Sequence, residues 1–176
     1  MPADRFVTRL NEQVGHELAA HNQYLACAIH YDALTMPQMA AFFYAQALEE
    51  RSHALMMVQY LLDTDADVAL PAIEAPISSF GDVVAPVELA LEQEKRVTTQ
   101  INELLVIARE ESDFASEQFL QWFIKEQVEE TATMSDLLTV VTRSPENVEA
   151  IEDYVQREQR SQGADPTAPR VAGAAG

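Results

Sequence analysis

The stretch YAQALEERSHALMMVQYLL, residues 44–62, carries the feature that decides the fold. It is rich in Ala, Leu, Glu and Gln, which favour helix, and it contains neither Gly nor Pro. On such a helix Glu50 and His53 fall on the face that carries Phe43 one way and Met57 the other. A carboxylate and an imidazole on a buried helix face need a partner, because burying an uncompensated charge is costly.

The rest of the chain also favours helix, because long segments rich in helix formers lie between the prolines. The segments predict helices at about 5–33, 37–64, 83–111, 114–142 and 145–159. The last is predicted to open at Ser144 as N-cap, with Pro145 at its first position. No stretch shows sustained strand alternation, so the fold class is predicted to be all-α.

The lengths of the connections predict the topology. DALTMPQ (32–38) and ESDFAS (111–116) are short breaks that suit antiparallel helical hairpins. The connection at 63–81 is long and contains two prolines, so it can run the length of a bundle and join parallel helices. We therefore expect a four-helix bundle with one long crossover between the second and third helices, followed by a short fifth helix.

Each of the four long helices has an apolar seam at 3/4 spacing that is interrupted near its midpoint by polar residues. Because the midpoints of helices of similar length lie at one level of a bundle, the interruptions should form one layer. The predicted layer comprises Glu17, Glu50, His53, Glu94, Gln127 and Glu130. A lone Glu or His of this kind is more often a satisfied core residue than a ligand, but four aligned carboxylates favour metal.

The charge of this layer predicts which ion it would hold. Four buried carboxylates cannot all ionise without compensation, and no seam position carries Lys or Arg. Oxygen ligands with one imidazole suit Fe²⁺ or Mn²⁺ better than metals that prefer thiolates. Two divalent ions would balance four carboxylates, and a central bridging carboxylate would hold them about 3.5–4 Å apart.

Composition excludes several classes of protein. The net charge of −18, from 29 acidic and 11 basic residues, disfavours nucleic acid and anionic membranes as partners. No run of residues reaches the roughly 18 apolar positions of a membrane span, and no secretory signal pattern is visible, so we expect a cytoplasmic protein. The single Cys27 offers neither an internal disulfide nor a CxxC metal site.

Four stretches resemble the bacterial non-haem ferritins in order and spacing, and the resemblance covers about residues 1–160. They are GHELAAHNQY (15–24), LEERSH (48–53), LEQEK (91–95) and FIKEQVEET (123–131). The resemblance implies a ferritin-like bundle, binding of Fe²⁺, its oxidation by O₂, and a hollow shell of twenty-four subunits that stores ferric mineral.

The resemblance also implies roles for individual residues. Glu17, Glu50 and His53 would hold the first iron, with Glu50 as the bridge to a second iron held by Glu94 and Glu130 and lined by Gln127. Tyr24 resembles a tyrosine that supplies an electron, although a packing role fits its spacing equally well. A third iron would be held by Glu49, Glu126, Glu129 and Glu130.

Other residues are better explained without iron. We interpret Trp122 and His21 as packing residues or as neighbours of the ligands. Haem-binding relatives have a second ExxH motif on the fourth helix and a haem-ligating Met just before the His of the second helix. This chain has Gln127-x-x-Glu130 and Ser52 at those places, so no haem is predicted. Its single Cys also separates it from rubrerythrin-like proteins.

Two further regions have open interpretations. Glu117 aligns with an acidic residue of the ferritin threefold pore, whereas the second acidic position falls on Leu120. Residues 161–176 are predicted to be a disordered tail beyond a domain at 1–160, or alternatively a docking peptide for another shell or partner. A storage subunit with little ferroxidase activity and another small diiron oxidase remain as alternative functions.

Overall fold

The computed structural model describes residues 2–158 and 165–173. Within these ranges the chain forms five α-helices and no strand, which confirms the prediction of an all-α fold. The helices are α1 (Asp4–Ala33), α2 (Pro37–Asp63), α3 (Ala85–Glu110), α4 (Phe114–Arg143) and α5 (Val148–Glu158).

The first four helices form the predicted bundle. Helix α1 packs mainly against α2 and α3 against α4, while α1 and α3 also touch. The members of each close pair are joined by the short connections 34–36 and 111–113. Connections of this length return the chain on itself, so each pair is an antiparallel hairpin.

The long crossover, residues 64–84, lies along α1. The amide of Ala69 donates to Asn11 Oδ1 (2.7 Å), and the amide of Ile77 donates to Gln23 Oε1 (2.9 Å). Near its end, the hydroxyl of Tyr31 donates to the carbonyl of Val83 (2.7 Å). The partners on α1 advance in the same direction as the crossover, so the crossover spans the bundle, as its length predicts.

The fifth helix begins three residues later than the sequence pattern predicts. The amide of Asn147 donates to the carbonyl of Ser144 (3.0 Å), which closes a turn over Pro145. Asn147 Oδ1 then accepts from the amide of Ala150 (3.1 Å). The predicted N-cap at Ser144 is therefore wrong: proline at the second position of a turn looks the same in sequence as proline opening a helix, and Asn147 is the cap.

Helix α5 closes one end of the bundle. Ile151 and Val155 are buried there against the core, and the carboxylate of Glu152 accepts from the amides of Gln38 (2.8 Å) and Met39 (2.9 Å). These amides belong to the first turn of α2, where backbone N–H groups have no acceptor within the helix. A carboxylate at the positive end of the α2 dipole adds to this stabilisation.

The apolar core consists of two clusters, one at each end of the bundle. The first includes Tyr24, Phe43 and Met134, and the second includes Leu10 and Met57. On every long helix the predicted polar layer falls between the segments that contribute to the two clusters. The core is thus divided at mid-height by buried polar side chains.

Part of the C-terminal tail contacts the bundle. Asp165 Oδ2 accepts from Trp122 Nε1 (3.2 Å) and Lys125 Nζ (3.0 Å), and the amide of Ala172 donates to the carbonyl of Leu55 (3.1 Å). Residues 165–173 therefore lie against α2 and α4, whereas the sequence predicts a tail without fixed contacts. Residues 161–164 and 174–176 lie outside the described residues, and the domain boundary at 160 stays a prediction.

None of the helices described for this chain is both long enough and apolar enough to cross a lipid bilayer.

The packing of the crossover against α1 depends on Gly15. A Cβ added at this position would overlap Cγ of Pro71, whereas one added at Gly81 would meet open space. We expect Gly15→Ala to push the crossover off α1, because overpacking costs about 1–3 kcal/mol, partly offset by the better helix propensity of Ala. Hydrogen exchange of the Ala69 and Ile77 amides should become faster.

The matched controls are Gly81→Ala, which should leave exchange unchanged, and Gly15→Ala combined with Pro71→Ala, which should restore it. Equal protection of both amides in Gly15→Ala and in the unsubstituted chain would contradict this account of the crossover.

Candidate metal centre

The middle of the bundle brings Glu17, Glu50 and His53 together. Each offers a ligand atom, and these atoms lie within 4.8 Å of one another. All three residues are at most 2% exposed. His53 Nδ1 is 3.9 Å from Glu50 Oε1, which is the reach of an i,i+3 pair on one helix. Glu50 and His53, which the sequence places on a buried face of α2, therefore join Glu17 of α1 in a buried group of two carboxylates and an imidazole.

Glu94 and Glu130 enter the same layer from α3 and α4. Glu94 accepts a short hydrogen bond from the hydroxyl of Tyr24 at one oxygen and a bond from Gln127 Nε2 (3.3 Å) at the other. Glu130 is only 5% exposed, and its charge acts on the pKa of Glu50. Four helices thus contribute to one layer, as the aligned midpoints of the seams predict.

Several polar atoms of this layer have no hydrogen-bond partner. Among the described residues, Glu17 Oε2, Glu50 Oε1 and His53 Nε2 are buried and unpartnered. Buried polar atoms are rarely left in this state, since each costs roughly 1–3 kcal/mol. No ion pair in the described part of the chain brings Lys or Arg to these groups. Free carboxylate oxygens and an imidazole are the donor set that a divalent first-row cation requires.

Burial disfavours the charged forms of these groups. Desolvation, followed by the charges of Glu94 and Glu17, raises the pKa of Glu50 far above its ordinary value. The pKa of Glu130 is also raised far, again mainly by burial. Burial raises the pKa of Glu94 to about 7, although the bonds from Tyr24 and Gln127 act against the shift, and it lowers the pKa of His53 to about 4. Without cations the layer resists ionisation.

A second group of possible ligands lies beside the layer. Ligand atoms of Glu49, His53 and Glu126 also lie within 4.8 Å of one another, and both carboxylates are half-buried. They line a cavity of about 660 Å³ between α2 and α4, to which Glu129 and Glu130 also contribute. The structure therefore brings His53, which the sequence assigns to the first iron alone, into the neighbourhood of the predicted third position.

Glu129 and Glu117 are less closely tied to these groups. Glu129 is exposed and lies 3.8 Å from Lys125 Nζ, so it stands at the cavity wall outside the Glu49 group. Glu117 lies in the first turn of α4, where it accepts from Arg109 Nε at 2.8 Å. Both roles stay predictions.

The aromatic neighbours of the layer have specific contacts. Trp122 packs edge-on against the ring of His53, with centroids 5.6 Å apart, and its indole N–H donates to Asp165. His21 Nδ1 lies 2.6 Å from the carbonyl of Ala47. These contacts leave Trp122 and His21 beside the proposed ligands rather than among them.

Two contributors to the site escaped the sequence analysis. Gln13 is fully buried, and its Nε2 donates to Glu17 Oε1 (2.9 Å) and to Gln100 Oε1 (3.2 Å). Its position four residues before Glu17 was a usable signal, because residues at this spacing share a helix face. Asp165 lines the cavity from the tail, and nothing in its local sequence indicates this.

The raised pKa values predict how the stability of the metal-free protein depends on pH. A carboxyl whose pKa is higher in the folded than in the unfolded chain contributes stability below the unfolded pKa and loses it as pH rises through the folded pKa. For Glu94 this window runs from about 4.5 to about 7. His53 contributes in the opposite sense, losing stability as pH falls from 6.5 to about 4.

We therefore expect Glu94→Gln to flatten the decline in the free energy of unfolding between pH 4.5 and 7, by up to about 1.4 kcal/mol per pH unit. Denaturant unfolding of metal-free protein at several pH values measures this slope. The exposed Glu92→Gln variant is the matched control and should keep the original slope. Identical slopes for Glu94→Gln and the unsubstituted chain would contradict the raised pKa of Glu94 in the folded protein.

Comparison with known proteins agrees with this geometry. The ferritin-like domain family matches residues 7–144. Ferritin BfrB of Mycolicibacterium smegmatis is 48% identical over 171 residues, which cover 97% of this chain and 94% of that protein. The bacterial non-heme ferritin of Staphylococcus aureus is 34% identical over 154 residues, covering 88% and 93% respectively.

A solved structure shows the same fold. The open pore ferritin of the hyperthermophilic archaeon Archaeoglobus fulgidus superposes with a TM-score of 0.87 at 30% identity, covering 92% of this chain and all of that one. The family model matches most of the chain, and the relatives match it over nearly their full length. The bundle divided by buried carboxylates agrees with these matches. The chain therefore belongs to the ferritin family of iron-storage proteins.

Proposed function

We propose that this protein oxidises Fe²⁺ with O₂ at a centre within each subunit and stores the ferric product as mineral. The observation that carries the proposal is the layer of four buried carboxylates and one imidazole, which has unpartnered atoms and no ion pair with a Lys or Arg among the described residues. An intact set of this kind favours an oxidising subunit over a storage subunit with little ferroxidase activity.

Glu17, Glu50 and His53 bind the first Fe²⁺ in this proposal, and Glu94 and Glu130 bind the second. Glu50 is the bridge, because it stands among the other carboxylates, and the charges of Glu94, Glu17 and Glu130 all act on its pKa. Each carboxylate neutralises positive charge and so favours the change from Fe²⁺ to Fe³⁺. Each iron gives up one electron, and O₂ accepts the pair.

Gln127 and Tyr24 assist at Glu94. The two hydrogen bonds that Glu94 accepts favour its charged form and orient its oxygens. We assign Gln127 to the lining of the second iron position, and we assign Tyr24 as an electron donor in direct contact with a ligand of that iron. The buried ring of Tyr24 also belongs to the first apolar cluster, so its packing role stands beside the proposed electron transfer.

A third iron is held by Glu49, Glu126, Glu129 and Glu130 in this proposal. Glu49 and Glu126 are already close together, and Glu130 belongs to both the layer and the cavity wall. Glu129 would join by leaving Lys125, which costs little because exposed ion pairs contribute only about 0–1 kcal/mol.

We propose that no haem is bound. Ser52, at the place of the haem-ligating Met, donates its hydroxyl to the carbonyl of Leu48 (2.9 Å). The nearby Met56 and Met57 are buried in the second apolar cluster, which accounts for both without a haem.

The remaining parts of the proposal concern assembly and location. Twenty-four copies would form a closed shell in the cytoplasm, with Glu117 at the pore through which iron enters. The tail could dock on another partner, but a partner would first have to displace the contacts of Asp165 and Ala172 with α2 and α4.

Adding Fe²⁺ and O₂ to the purified protein tests the proposed site. We expect Glu50→Ala and His53→Ala each to slow the initial oxidation by at least about tenfold, because each removes a ligand or leaves its neighbours unbalanced. The exposed Glu92→Ala variant should oxidise iron at the original rate. Equal rates in all four proteins would contradict the site.

The mass of the native assembly tests the shell. Light scattering of the purified protein should give a mass near twenty-four copies of the 19.6 kDa chain. A mass near one copy would exclude a closed store, while the oxidation test would still decide the site.

A further inference from the structure

Gln46 is a buried polar residue that the proposed chemistry leaves unused. It lies on the seam of α2, one turn before Glu49 and Glu50, and it is only 3% exposed. A methionine would fill the same place without burying an amide, which costs free energy unless its groups are hydrogen-bonded. The amide therefore needs an explanation in terms of its contacts.

The contacts of Gln46 join the two groups of carboxylates. Its Nε2 donates to Glu49 Oε2 at 2.9 Å, and its side chain lies near enough to Glu130 to favour the charged form of that carboxylate. Glu49 belongs to the outer group in the cavity wall, while Glu130 belongs to the buried layer and to the same wall. One amide thus bonds a carboxylate of the outer group and acts on a carboxylate of the buried layer.

The other end of the same amide is free. Gln46 Oε1 is buried and has no hydrogen-bond partner among the described residues. A carbonyl oxygen in this state is an acceptor for a cation or for a water molecule bound to one. The donor end therefore fits the two carboxylates, and the acceptor end fits positive charge near them.

We propose that Gln46 is a positioning residue that holds Glu49 and Glu130 as a pair for one cation, with its free carbonyl oxygen coordinating that cation or accepting a hydrogen bond from its bound water. This inference rests on the proposed function, because the cation is the third iron, which is proposed to be held by Glu49 and Glu130. Gln46 sets how tightly that iron is held.

The negative charge of the neighbouring carboxylates favours a neutral hydrogen-bond donor at position 46. Glu49 and Glu130 repel each other when both are ionised, and the pKa of each is raised by burial. A lysine here would compete with iron for the carboxylates, and a glutamate would add to the repulsion. Glutamine orients both carboxylates without neutralising them, which leaves their charge available for the cation.

Calorimetric titration of the assembled, metal-free protein with Zn²⁺ tests the proposal, since Zn²⁺ binds carboxylate and imidazole ligands and is not oxidised. We expect Gln46→Met to lower the affinity for the Zn²⁺ that depends on Glu49 and Glu130 by about tenfold. Cations held by Glu17, Glu50 and His53 should keep their affinity. If the wild type binds only two cations, the loss should fall on the second, which shares Glu130.

Two further variants separate positioning from packing. Gln93→Met makes the same change at a buried glutamine of α3 that has an unpartnered Nε2, so it should leave every affinity unchanged. Gln46→Glu keeps the length and an acceptor oxygen but removes the N–H donors, so it should alter this cation's affinity without altering the affinity for the cation held by Glu17 and Glu50.

Unchanged Zn²⁺ affinities in Gln46→Met would overturn the proposal. An equal loss at every cation would also overturn it, since that result indicates a general packing defect, and thermal melting of the metal-free variants checks this. The outcome is independent of the proposed activity: a wild type that binds Zn²⁺ but oxidises no Fe²⁺ contradicts the ferroxidase assignment and leaves the Gln46 result standing.

Discussion

Four carboxylates buried at the middle of a helical bundle are the constraint on which the rest of this structure depends. Burial alone raises the pKa of each, and their mutual repulsion raises the pKa of Glu50 further. Carboxyl groups this deeply buried can either stay protonated or bind cations that come from solution. Since no lysine or arginine ion pair of the described residues reaches the layer, binding of external cations is the route that leaves the carboxylates charged.

The surrounding structure offsets the free-energy cost of burying such a polar layer. Apolar clusters lie on both sides of it, so the two ends of the bundle supply the hydrophobic stabilisation that the middle lacks. The crossover lies along α1 and α5 closes one end, which extends burial beyond the four helices. Packing on both sides limits the rotamers open to the buried polar side chains, and such preorganisation favours selective binding.

Hydrogen-bond donors are distributed unevenly over the carboxylates, and this unevenness separates their roles. Glu94 accepts from Tyr24 and Gln127, and Glu17 accepts from Gln13, so both have neutral donors that favour the charged form. Glu50 has an oxygen with no partner and is surrounded by like charges. A residue in that environment gains most from a cation on each side, which agrees with its proposed role as the bridge.

The sequence by itself determined the helices, the crossover and the polar layer, because these follow from a period of 3.6 residues and from the positions of proline. It also indicated the family, since four short motifs stand in the right order. Only the tertiary structure decided which side chains meet, because partners on different helices depend on how each helix is rotated and on its rotamers. Gln46 reaching Glu130, and Asp165 reaching Trp122, are contacts of this kind. The start of α5 was decided in the same way, by a turn that a local pattern does not distinguish from a helix cap.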